Sequence, residues 1–103
     1  MTGQAVCLTL IVPQGLRAEV LDHLAEQTDL VTGFTASDAA GHGARARLRS
    51  PSERVQGHAN EIVVQIVLQE KDLERLLQRL GSAFAGTQLV YWAVPVIAFG
   101  IID

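Results

Sequence analysis

The stretch Ile62-Val63-Val64-Gln65-Ile66-Val67-Leu68 decides the fold. It is too short for a helix of its own and is dominated by β-branched side chains, which suit a pleated surface. Strand alternation puts Ile62, Val64, Ile66 and Leu68 on one face and Val63, Gln65 and Val67 on the other. Both faces are mainly apolar. A strand of this kind needs cover on both sides.

Immediately downstream the period changes. Leu73, Leu76, Leu77, Leu80 and Phe84 recur at helical spacing between Glu70 and Phe84, and Gly86 is a natural stop. Leu89 to Val96 then reads as a strand containing Pro95, followed by a short apolar tail from Ile97 to Ile102. Upstream, Ala5 to Val12 is a second doubly apolar strand, bounded by Pro13. Pro13-Gln14-Gly15 opens a helix with Leu16, Val20, Leu21 and Leu24 on its dry stripe, and Thr28-Asp29 closes it. Thr32 to Ala40 is a weaker strand of small and polar residues.

The order is β-α-β-β-α-β, an α+β ferredoxin-like sandwich with one antiparallel sheet, occupying residues 1–103 as a single domain. Proline cannot donate to a ladder, so the strand with Pro95 belongs at an edge. The short polar second strand belongs at the other. The predicted strand order is 4-1-3-2, with a long loop between strands 2 and 3.

Two helices cover only one face of such a sheet. Opposite sets such as Val6, Leu8, Leu10, Val12 against Cys7, Thr9, Ile11, and Val90, Trp92, Val94 against Leu89, Tyr91, Ala93, leave apolar side chains for the uncovered face. Each large one left in water forfeits roughly 1.5 kcal/mol or more relative to burial. Such a patch marks an interface, and self-association is the expected cover.

Composition agrees. The hydrophobic fraction is 49% with only 18% charged residues, which is rich for a small domain with a large relative surface. No apolar run approaches the roughly 18 residues of a membrane span. Met1-Thr2-Gly3-Gln4 lacks the basic start of a signal peptide, so the cytoplasm is the expected compartment. A net charge of −3 argues against nucleic-acid binding. The lone Cys7 excludes an internal disulfide and reads as a buried thiol.

The excursion Gly41 to Gly57 is the one long loop, and it holds Arg45, Arg47, Arg49 and Arg54, half of the chain's 8 basic residues. These suit an anionic ligand or an acidic partner surface, and equally a solvated hairpin. Ser50-Pro51-Ser52-Glu53 is a capping box with proline at the first helical position, so a turn or two of helix is predicted, ending at Gly57. His42, between Gly41 and Gly43, and His58 bracket the loop base. With Asp38 or Glu61 they could hold a divalent metal ion, zinc or copper, although the spacing matches no ligand motif and turn histidines are the blander reading. His23 is expected on the wet side of its helix. No nucleophile–base or phosphate-loop pattern assembles, so an enzyme is not expected.

The element order, the loop, and the pieces Gly33-Phe34-Thr35, Gly41-His42, Ser52-Glu53-Arg54-Val55-Gln56-Gly57 and Tyr91-Trp92-Ala93-Val94-Pro95-Val96 resemble the PII-like superfamily, which includes the CutA proteins. Within it the chain is most similar to a bacterial family encoded beside heavy-metal efflux pumps. The resemblance implies a homotrimeric signalling protein, without membrane insertion, that senses a small effector near the loop base and contacts a partner, an efflux transporter, through the loop. A CutA-like metal-tolerance role is the alternative it implies. One departure concerns ATP: Gly81-Ser82-Ala83-Phe84-Ala85-Gly86-Thr87-Gln88 lacks the lysine and glycine run of nucleotide-binding PII proteins. That weighs against ATP and leaves a metal ion or another anion open.

Overall fold

The computed structural model describes residues 3–43 and 48–103. Strand β1 (Ala5–Pro13) leads through a 3-10 turn (Gln14–Leu16) into α1 (Arg17–Glu26). Then come β2 (Thr35–Gly41), the short α2 (Pro51–Gln56), β3 (Ala59–Gln69), α3 (Glu70–Ala83) and β4 (Val90–Val96). All neighbouring strands pair antiparallel in the order β2-β3-β1-β4, which is the predicted order read from the opposite edge. The doubly apolar strands are central and the proline-bearing and polar ones are edges.

One face of the central strands builds the core. Leu8 pairs with Ile66 and Leu10 with Val64, and all four are essentially excluded from water. Val20 and Leu24 from α1, and Leu76 and Leu80 from α3, close over them. These are the stripes the 3.6-residue period selects. The ends of the two helices are joined by Arg79, whose guanidinium donates to both carboxylate oxygens of Asp29 at 2.8 and 2.9 Å and to Gln27 Oε1 at 2.9 Å. The hydrogen bonds from Arg79 hold the Asp29 carboxyl below its usual range.

The opposite face carries no helix. Trp92 stands opposite Thr9, and Val94 opposite Cys7, with Val67 on the other side of Cys7. Trp92 and Val94 remain about half exposed, at 49% and 47%. Cys7 is partly exposed, so the expectation of a buried thiol is corrected: it lies on the uncovered face of β1. His23 also departs from expectation. Its ring packs edge-on against Phe84 with centroids 5.4 Å apart, and its Nδ1 is buried without a partner.

Two strand starts differ from the sequence reading by three residues, the other strand limits by at most one. β2 starts at Thr35, not Thr32, because Leu30 and Val31 turn inward, their N–H groups donating to Gln27 O. β3 starts at Ala59, not Ile62, because its ladder to β2 reaches the Gly41–Ala59 pair. Among the described residues, no helix is long and apolar enough to cross a membrane.

Candidate functional site

The end of β2 and the beginning of β3 form the neck of the 41–57 segment. Gly41 stands opposite Ala59 at the last rung, so continuing the antiparallel register sets His42 against His58. Their ring centroids are 5.5 Å apart, with the planes tilted by 51°. The structure therefore brings together the two histidines singled out from sequence. Asp38 is drawn elsewhere, accepting from Gln14 Nε2 at 3.0 Å and lying 4.0 Å from Arg17. The Glu61 carboxylate occupies the space a side chain would take at Gly41. Among the described residues, no group of three His, Cys, Asp or Glu side chains gathers into a metal cluster. Two imidazoles supply half of a tetrahedral zinc shell.

The returning leg of the segment is fixed by α2. Ser50 caps it in extended conformation, Pro51 takes the first turn, and Gly57 closes it in the left-handed region with φ 79°. The capping box is complete: Glu53 N donates to Ser50 Oγ at 3.2 Å, and Ser50 N to Glu53 Oε1 at 3.1 Å. The same carboxylate does more than cap. Oε1 also accepts the backbone N–H of Arg49, and Oε2 that of Asn60 on β3. Glu53 is only 5% exposed, and the N–H groups of Arg49 and Asn60 hold its carboxyl below the usual range. One side chain thus clamps the loop's return leg to the sheet. The sequence signals the cap; nothing in it signals the contact with Asn60.

A polar cleft of about 40 Å³ opens here between Arg49, Glu53, Asn60, Glu61 and Gln88. It has room for water and is far below the roughly 300 Å³ or more of a typical small-molecule site. Gln88, at the threshold of β4, is the one non-glycine with positive φ among the described residues, at 61°. Of the predicted loop residues, Gly41, Gly43 and Arg49 border the neck, and Arg54 lies exposed in the last turn of α2. Gly43 has φ 95°, a conformation that favours glycine. Arg45 and Arg47 lie outside the described residues.

A Shewanella baltica protein of the DUF3240 family shares the fold with a TM-score of 0.79 at 18% identity, each chain covered fully. A nitrogen regulatory PII-like protein from Thiomonas intermedia, solved with ADP, AMP and bicarbonate, aligns with a TM-score of 0.69 at 17% identity, over 95% of this chain and 97% of that one. A candidate PII-like signalling protein from Thermus thermophilus aligns with a TM-score of 0.64 at 20% identity, over 91% and 88%. No protein of curated function matches the chain. The profile described as "Protein of unknown function (DUF3240)" matches residues 2–103. The chain belongs to the DUF3240 family, and its fold is the one shared by PII-like signalling proteins.

Proposed function

We propose that this chain is a PII-like regulatory protein without enzymatic activity. A small effector binds at the neck of the 41–57 segment and alters that segment's contact with a partner protein. The observation that carries this reading is the Glu53 clamp, which ties α2 to Asn60 beside the facing His42 and His58 rings. A ligand that competes for those backbone donors, or pulls on the two rings, acts directly on the loop. The single-chain cleft is too small for a nucleotide. The effector site is therefore formed between copies, in a homotrimer that covers the open sheet face. Arg45, Arg47, Arg49 and Arg54 supply the charge that meets an anion or an acidic partner surface. An efflux transporter is the partner favoured by the family resemblance. The nucleotides and bicarbonate of the Thiomonas protein make adenine nucleotides and bicarbonate the first effectors to try.

The second reading is divalent metal binding, favoured by the 5.5 Å spacing of the His42 and His58 rings. Calorimetry against ADP, AMP, bicarbonate, zinc and copper separates the two. Binding of an anion that slows proteolysis within 42–57 supports the first. Tight metal binding abolished by His42→Ala with His58→Ala supports the second. Silence toward all five refutes both.

A further inference from the structure

The C-terminal residues present an unusual surface. Ile97, Phe99, Ile101 and Ile102 are 101%, 70%, 86% and 101% exposed. Together they hold on the order of 600 Å² of apolar surface in water, against roughly 800 Å² buried per partner in a stable interface. The sequence alternates large and small, with Ile97, Phe99 and Ile101 separated by Ala98 and Gly100. An extended arm of this pattern has Ile97, Phe99 and Ile101 on one face and Ala98, Gly100 and Ile102 on the other. Its root is fixed, because Gln4 Nε2 donates to the carbonyl of Val96 at 3.2 Å.

A receptacle of matching chemistry lies at the other end of β4. A cavity of about 280 Å³ opens beside the end of α3, walled by Leu10, Leu77, Leu80, Phe84, Leu89 and Tyr91. Tyr91, opposite Leu10 in register, remains 55% exposed because α3 does not extend over β4. Folded back as a hairpin, residues 97–103 do not reach the cavity of their own chain. The tightest reversal, a two-residue turn at Ile97-Ala98, would set Phe99 opposite Val96 and Ile101 opposite Val94. Ile102, the last apolar residue of the arm, would lie opposite Ala93 and stop two residues, about 7 Å, short of Tyr91.

We propose that the arm Ile97–Asp103 of one copy seats in the cavity at Tyr91 and Phe84 of a second copy. Donor and receptacle occupy opposite ends of the same strand, so the contact is head-to-tail, the kind that closes into a ring when the rotation between copies permits. The arm becomes part of the interface. This inference rests on the self-association in the functional reading and specifies its contacts.

Two variants probe it without disturbing the core. Truncation after Val96 removes the arm. Gly81→Leu fills the cavity from its rim, at a helical position where an added Cβ meets nothing within 4 Å and leucine is the better helix former. Light scattering at micromolar concentration is expected to show the full chain assembled, and both variants reduced toward the 11.1 kDa monomer with unchanged circular dichroism. An assembled full chain whose mass survives both changes overturns the arm contact and leaves self-association standing. A monomeric full chain overturns both. The geometry is read by mild oxidation in a Cys7→Ser background. A Phe99→Cys copy mixed with a Gly81→Cys copy is expected to give a linked dimer well above either copy alone. A chain carrying both changes that forms only an internal disulfide overturns the proposal, as does a cavity that takes up a small apolar probe equally well with and without the arm.

Discussion

The carboxylate of Glu53 accepts the backbone N–H of Asn60, seven residues further along and on a different element. With the N–H groups of Arg49 and Ser50 on its other oxygen, one side chain satisfies donors at both ends of a helix-and-turn segment. A buried carboxylate held by backbone donors is a strong and directional tie.

Glu53→Gln should weaken that tie, because an amide offers one acceptor oxygen and cannot serve both sets of donors. Amide exchange at Asn60 and Arg49 is expected to accelerate roughly tenfold or more, with exchange in the β1–β3 ladder unchanged. Equal acceleration in the ladder would mean that Glu53 supports the whole fold and not the segment alone.

The clamp should also respond to acid. The Glu53 carboxyl lies below its usual range in the folded chain, chiefly through the N–H of Arg49 and then that of Asn60. A depressed folded value contributes stability that is present above the ordinary carboxylate range and is lost as pH falls through the folded value. Proteolysis between residues 42 and 57 is therefore expected to rise on acidification below that range and to be flat in Glu53→Gln. Asp29, held down by Arg79, follows the same sign, and its effect is read separately at the junction of α1 and α3.

Leu76→Ala tests the core. Leu76 is completely buried against the central strands, so truncation should cost about 2–5 kcal/mol in denaturant unfolding. Gly57→Val tests the end of α2. The left-handed φ of 79° excludes a β-branched residue without strain, and a loss of about 1–2 kcal/mol of local stability is expected, seen as faster exchange at the amides flanking Gly57.

The uncovered sheet face is tested by Trp92→Lys. Trp92 lies outside the core at 49% exposure, so the chain should fold with unchanged circular dichroism. Its assembly should weaken at least about tenfold in dilution experiments, as for a central aromatic anchor. Unaltered assembly would place the interface elsewhere.

Much of this was legible in the residues. Pro95 and the small polar residues of β2 marked the edges, and Ile62 to Leu68 marked a centre, because hydrogen-bonding capacity and side-chain branching are local properties. Ser50-Pro51-Ser52-Glu53 foretold α2 for the same reason. His23 misled: its helical position looked wet, but Phe84 from the end of α3 covers it. The second task of Glu53 was equally hidden, since only the return of β3 to β2 brings Asn60 to it.

By itself, then, the chain's sequence determined the elements, their order, the strand that could be central, and the presence of an apolar surplus, because these follow from periods of two and 3.6 and from turn chemistry. The tertiary structure alone decided that Phe84 covers His23, what Glu53 holds, and that the arm beyond Val96 and the cavity at Tyr91 lie at opposite ends of β4. Those are distances between residues far apart along the chain, and helix packing and strand register, not local preference, set them.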